Sequence, residues 1–311
     1  MNGAIHTARE ISQQPSLWKK IAAQLDVEAP ALQKFLSGAK FERIILTGAG
    51  TSAYIGLSLR GVFQRHFQVS TEAISTTDLV SHPRDYFRQE VSTLVISFAR
   101  SGNSPESVAA VQLADEFCKN CSHLIITCSA DGLLAKHTVK GSKYVFVLPS
   151  EANDQSLAMT SSYSGMLLSG KLVAHINTLN ETKKSIDVIC QYAEKSIQYY
   201  ADEIKQLASV DFKRAVFLGA GPFLGTATES HLKLQELTDG KVICKNDSFL
   251  GFRHGPKAVI DNTTLVVYHF SNNSHALQYE RDLVGAMKKG NKPLLEIAIS
   301  ESAVEGIDVS H

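Results

Sequence analysis

No sign of charge dominates this chain: Lys and Arg number 31, and so do Asp and Glu. That balance excludes a global field that would gather nucleic acid or an anionic membrane. A phosphorylated ligand would have to be held by local groups. Tryptophan occurs once, and the other aromatics are scattered, so no stacking platform for bases is built in. No run approaches the roughly 20 apolar residues of a membrane span. The opening MNGAIHTAREISQQPS has no apolar core of a secretory signal. Cysteine is sparse and odd in number: Cys118, Cys121, Cys128, Cys190 and Cys244. This favours reduced thiols in a cytoplasmic protein. Cys118 and Cys121 form a C-x-x-C, but no second pair or nearby His completes a zinc set. No His/Asp/Glu spacing resembles a metal site, and neither metal nor cofactor is expected.

What is present is a 311-residue chain that is 44% hydrophobic, enough for one large or two ordinary domains. Residues 1–40 read as a helical segment, with Ser16 as a candidate cap and a break near Pro30. Ile44-Ile45-Leu46 is a short apolar run followed by a Gly-rich turn and a helix start. Further strands are expected near Val69–Ser75, Thr93–Phe98, His123–Cys128 and Tyr144–Leu148. Strands alternating with helices predict an α/β fold with a parallel sheet covered on both faces. Long helical patterns over Ser161–Leu179 and Ile186–Leu207 follow.

At Phe212 the pattern returns. FERIILTGAG (41–50) aligns with FKRAVFLGAG (212–221), and at the same offset of 171 residues LVISF (94–98) falls on LVVYH (265–269). We therefore expect two copies of one α/β unit: a helical segment 1–40, a first domain 41–208 and a second domain 209–311. A fifth strand of the second copy would recur near 315–319, past the last residue. The second copy is accordingly expected to be incomplete at its C-terminus.

Three local patterns carry chemistry. Gly48, Gly50 and Ala53 satisfy G-x-G-x-x-G/A, a weak dinucleotide signal whose expected acid is at best Glu72. Thr51 and Ser52 place hydroxyls at the same helix start. The third strand ends in Arg100-Ser101-Gly102-Asn103-Ser104-Pro105, where hydroxyls again meet a helix N-terminus. Two such loops at the carboxyl ends of strands in one sheet can cradle a phosphate, although Ser and Thr at helix starts commonly only cap. In the second copy GAGPFLG and SNNSH lack these groups, so the first unit should take the anion. The third pattern lies on a predicted helix. Glu229, Lys233 and Glu236 fall within about 60° of one another at roughly 3.6 residues per turn, with Leu232, Leu234 and Leu237 available for packing. A solvated Glu–Lys face would have the same spacing. Two carboxylates and an ammonium followed by His254-Gly255-Pro256 can also move protons on a small polar substrate.

GAGTS, SGNSPES and E-x-x-x-K-x-x-E…HGP resemble the sugar isomerase (SIS) family. The resemblance runs from about residue 15 to 300. TTDLV (76–80), ISFARSGNSPESVAAV (96–111), AMTSS (158–162) and FRHGPK (252–257) are most similar to its galactosamine-6-phosphate deaminase/isomerase branch. The resemblance implies two SIS domains, each a five-stranded parallel sheet between helices in a flavodoxin-like three-layer sandwich. It further implies a homodimer or larger with a shared site. Thr51, Ser52, Arg100, Ser101 and Ser104 would surround the sugar phosphate, with Thr160 and Ser161 near the sugar. Glu229, Lys233 and Glu236 match the site helix of the isomerase half of glucosamine-6-phosphate synthase. His254 matches its ring-opening histidine, which comes from the neighbouring subunit. That synthase completes its site with a lysine on a C-terminal tail that nothing here matches. The expected activity is aldose/ketose isomerisation of a hexosamine 6-phosphate with loss of ammonia, by metal-free proton transfer. Isomerisation without ammonia loss, or a sugar-phosphate-binding regulatory module, are the other readings.

Overall fold

A computed structural model of the chain describes residues 4–307. It divides into two compact units between Ala201 and Asp202. The first opens with helices α1 (Ile5–Ser12) and α2 (Gln14–Ala39). Strand β1 (Arg43–Thr47) leads into α3 (Thr51–Phe67), and β2 (Ser70–Ala73) into the short α4 (Thr76–Ser81) and α5 (Pro83–Tyr86). Then come β3 (Thr93–Ala99), α6 (Pro105–Phe117), β4 (Cys121–Thr127), α7 (Leu133–Lys136), β5 (Lys143–Val147), α8 (Ser161–Ala174) and α9 (Leu179–Tyr199). Helix α10 (Ala201–Leu207) starts at the division. The second unit continues with β6 (Arg214–Gly219), α11 (Pro222–Leu237), β7 (Ile243–Asp247), α12 (Phe249–Phe252), β8 (Thr264–His269), α13 (Ser274–Met287) and β9 (Leu295–Ile299).

The first sheet has order β2-β1-β3-β4-β5 and is parallel throughout. Strand alternation divides its apolar residues between two faces. Ile44, Leu46, Leu94, Ile96, Leu124 and Ile126 join the large core under α2, α3 and α8, while Ile45 and Val95 face the core built with α6. Burial of each such side chain contributes about 1.5–3 kcal/mol. Both faces being covered explains why these strands read as unbroken apolar runs rather than alternating ones.

The second sheet repeats the same order with four strands, β7-β6-β8-β9, again all parallel. Arg43 and Arg214 open equivalent strands, as do Thr93 and Thr264, at the spacing read from the sequence. The likeness reaches the backbone. Gly50 (φ 55°, ψ −127°) and Gly221 (φ 55°, ψ −122°) take the same left-handed conformation at the N-cap of α3 and α11. A Cβ on Gly48 would stand 2.6 Å from the Ser52 carbonyl carbon, and one on Gly219 2.3 Å from the Phe223 carbonyl oxygen. The glycines are therefore needed where each helix turns back over its strand.

The second sheet has four strands among the described residues, one fewer than the first. Two expectations are corrected. Pro30 does not break the N-terminal helix: α2 runs through it, with Gln13 rather than Ser16 at its N-cap. Loss of one N–H bond costs roughly 3 kcal/mol, and the fully buried Leu25 and Leu32 on either side offset it. Leu237 does not hold down α11, being 61% exposed; Gly225, Ala227 and Thr228 are buried there instead.

Candidate active site

The carboxyl ends of β1 and β3, which pair as neighbours with Thr47 opposite Ser97, mark the point where the strand order reverses direction. In open parallel sheets the crevice at such a point is where ligands bind. Thr51 and Ser52, both nearly buried, form the first turn of α3. After β3, Ser101 is exposed and its Oγ accepts from the Asn103 N–H (3.3 Å). Gly102 has φ 66°. The loop after β4 braces this segment: Leu133 N–H donates to Asn103 Oδ1 (3.0 Å) and Leu134 N–H to the Gly102 carbonyl (2.9 Å). Ser104 caps α6, accepting from Ser107 N–H and sharing a 2.6 Å hydrogen bond with the Ser107 hydroxyl. Thus Thr51, Ser52, Arg100, Ser101 and Ser104 all sit on the two loops at the reversal point, and Ser104 also has the ordinary work of a cap.

Thr160 and Ser161 start α8, but their groups are already engaged. Asp154, 6% exposed, accepts from the backbone N–H of Thr160 (2.9 Å), Ser161 (3.1 Å) and Ser162 (2.9 Å), and from the Ser162 hydroxyl (2.5 Å). A carboxylate thereby occupies the helix N-terminus, where negative charge is favoured. Ser161 is fully buried, and its hydroxyl donates to the Glu10 carbonyl (2.6 Å). The structure does not bring Ser161 to a surface. Arg100 donates to the Ser156 carbonyl (3.0 Å), and buried Glu10 accepts from Gln155 N–H (2.7 Å). So α1, the 154–156 segment and the loop after β3 are linked. Sequence reasoning missed Asp154 and Glu10. Neither has a local signal, since their partners lie six or more residues away.

In the second unit the helix face forms as spaced. Lys233 Nζ lies 3.3 Å from Glu229 Oε1 and 2.5 Å from Glu236 Oε2. Side-chain exposure rises along the helix from 6% at Glu229 to 16% at Lys233 and 27% at Glu236. This gradient separates the trio from a solvated face: Glu229 anchors, and Glu236 stands at the open end. His254 is exposed on the turn between α12 and the 3₁₀ turn Pro256–Val259, and Gly255 beside it has φ 114°. After β8, the loop equivalent to Arg100–Ser104 is held by a buried carboxyl. Glu280, 1% exposed, accepts from the Ser271 N–H (2.8 Å), and burial pushes its carboxyl above the usual range. The Ser271 N–H that a ligand at this loop would need is thereby already used.

The acid required by a dinucleotide reading is not available. Glu72 is paired to Arg43 at 2.7 Å within the first sheet. Conversely, the structure places His123 and Asp115 beside Cys121, completing a group that the C-x-x-C alone did not suggest. His123 is two residues past Cys121, and that spacing was the available signal.

The fold is a pair of doubly wound parallel α/β units of the kind that bind small ligands at strand ends. Residues 36–176 match the SIS domain. The chain is 42% identical to a D-galactosamine-6-phosphate deaminase AgaS of Shewanella sp. (strain ANA-3), covering 98% of this chain and 79% of that one. It is 40% identical to D-galactosamine-6-phosphate deaminase AgaS of Escherichia coli O157:H7 over 97% of this chain and 79% of that one. The crystal structure of tagatose-6-phosphate ketose/aldose isomerase from Escherichia coli superposes with a TM-score of 0.90 at 38% identity, covering 96% of this chain and 82% of that one. The chain belongs to the SIS family. Among the described residues, no helix is long and apolar enough to cross a membrane.

Proposed function

We propose that this chain is a sugar-phosphate isomerase/deaminase that converts galactosamine 6-phosphate to tagatose 6-phosphate and ammonia. The observation that carries the reading is the Glu229–Lys233–Glu236 cluster, two carboxylates joined through one ammonium on a single helix face. The likeness to D-galactosamine-6-phosphate deaminases, over 98% and 97% of this chain and 79% of each relative, supports the substrate.

The phosphate dianion is taken by the loops bearing Thr51, Ser52, Arg100, Ser101 and Ser104. Holding that end converts binding energy into positioning of carbons 1 and 2. Thr160 borders the sugar, and Ser161 positions it through the Asp154 cap. His254, supplied by a neighbouring subunit of a homodimer or larger assembly in the cytoplasm, assists opening of the sugar ring. Glu236 removes the proton from carbon 2, and charge develops on the oxygen of carbon 1, where Lys233 offsets it. Glu229 orients Lys233. The proton returns to carbon 1, which leaves an imine at carbon 2. Water adds to that carbon, the carbon–nitrogen bond breaks, and ammonia and the ketose phosphate result. General acid–base transfer of this kind contributes about 10²–10⁴-fold.

A second reading, isomerisation of a neutral sugar phosphate without nitrogen loss, is favoured by the likeness to the tagatose-6-phosphate ketose/aldose isomerase structure. The same residues would serve it. Product analysis over hexose and hexosamine 6-phosphates distinguishes the two. The first reading expects equal ammonia and ketose phosphate from galactosamine 6-phosphate. Turnover confined to aldose phosphates, with no ammonia, would replace it by the second.

A further inference from the structure

The Cys118-Lys119-Asn120-Cys121 turn has no part in sugar chemistry. It lies where α6 gives way to β4, at the amino end of that strand. Because the sheet is parallel, this is the edge opposite the loops that follow β1 and β3. Asp115 precedes Cys118 by three residues on the helical side, and His123 follows Cys121 by two on the strand. A three-residue step stays on one helix face, and a two-residue step stays on one strand face. The two faces meet. Asp115 Oδ1 is 2.9 Å from His123 Nε2, and one atom each of Asp115, Cys121 and His123 lies within 4.8 Å of the others. Cys118 stands outside that trio but next to Cys121, and both border the same cleft.

All four side chains are less than a tenth exposed, and His123 Nδ1 is buried with no hydrogen-bond partner. A cleft of about 450 Å³ bordered by Asp115, Cys118, Cys121 and Lys140 gives access from solvent. Asp115 is itself held from outside: Lys140 N–H donates to its Oδ2 (2.9 Å) and Lys140 Nζ to its carbonyl (3.0 Å). This is the arrangement in which a ligand carboxylate is oriented by an outer partner. A buried Asp–His pair alone would not account for the Cys121 thiol beside it.

We propose that Asp115, Cys121 and His123, with the Cys118 thiol turning in from beside Cys121, form a four-coordinate site for a divalent cation of the zinc class, which clamps the end of α6 to the start of β4. Two sulfurs, one imidazole nitrogen and one carboxylate oxygen suit such an ion at about 2.0–2.3 Å from each. On binding, the two thiols release their protons to solvent and the Asp115–His123 hydrogen bond is exchanged for two bonds to the metal. Lys140 lies beside the added negative charge. The clamp is structural and separate from the proposed sugar chemistry.

The test uses the full chain, stripped with a chelator under reducing conditions and titrated with Co²⁺ and then Zn²⁺. One equivalent of Co²⁺ should give a thiolate-to-cobalt charge-transfer band and tetrahedral ligand-field absorption. Zn²⁺ should displace both and raise the thermal midpoint. Cys118→Ser with Cys121→Ser should abolish the bands, while Cys244→Ser should retain them. If the double variant does not fold, thiol labelling of the unaltered protein decides: one equivalent of Zn²⁺ should protect two of its five cysteines. Absence of the charge-transfer band, its persistence in the folded double variant, or unchanged labelling of all thiols overturns the proposal.

Discussion

Lys233 Nζ stands 2.5 Å from Glu236 Oε2, so the more exposed carboxylate of the α11 face is held by an ammonium that is itself anchored on buried Glu229. A base in this setting is presented at a fixed place on the helix. Replacing Glu236 by Gln keeps the shape and removes the base. Turnover should fall about 10²–10⁴-fold with little change in KM. Steady-state kinetics on galactosamine 6-phosphate provide the check, and retained kcat would remove Glu236 from its role.

Removing the ammonium tests the anchor. Lys233→Met leaves two carboxylates facing one another, one of them nearly buried. Stability should drop by about 1–3 kcal/mol. Adding Glu229→Gln should recover part of that loss, because the buried charge that has lost its ammonium goes with it. A double-mutant cycle in urea reads the coupling. Simple additivity would mean that Lys233 and Glu229 do not depend on each other.

Asp154 holds three backbone N–H groups at the start of α8. Asp154→Ala orphans all three and should cost roughly 2–3 kcal/mol, since bonds to a charged acceptor are worth about 1.5–3. Asp154→Asn keeps one acceptor oxygen and should lose less. Chemical denaturation of both variants, with KM for the sugar phosphate as a second readout, tests whether Thr160 moves when its cap is removed.

Gly48→Ala should be poorly tolerated, because its Cβ would press on the Ser52 backbone at 2.6 Å. Overpacking of this kind costs about 1–3 kcal/mol. Because Ser52 would shift with the helix start, KM for phosphorylated sugars should rise more than kcat falls. Equal affinity for phosphorylated substrate in Gly48→Ala and the parent protein would argue against the cradle.

A pH dependence of stability arises in the first unit. His175 and His66 rings lie 3.9 Å apart, and His175 Nε2 is buried without a partner. Burial first, then the nearby charges of His66, Lys171 and Arg65, pull the His175 value down to about 4. The unfolded chain therefore binds a proton here before the folded one does. Stability is complete above the unfolded value near 6.5 and is lost as pH falls toward about 4. Unfolding midpoints across this window should decline in the parent protein. His175→Gln should flatten that part of the profile.

Strands β1, β3, β4, β5, β6 and β8 were legible because each is a short apolar run between turn signals, whereas β7, Ile243–Asp247, is largely polar and was not read. The repeat was legible because one spacing aligned β1 with β6 and β3 with β8. The α11 face was legible for a related reason: three- and four-residue steps on a helix need no tertiary information to place side chains together. The tertiary structure alone decided matters that depend on distant partners. It placed Asp154 on the start of α8 and Glu280 in the loop after β8, and it joined Asp115 to His123 across the α6–β4 turn. It also carried α2 through Pro30, because the apolar burial around that residue outweighs its missing hydrogen bond. Local periodicity fixes which residues share a face. Only packing determines what that face meets, how deeply each charge is buried, and which polar groups are used up within the fold.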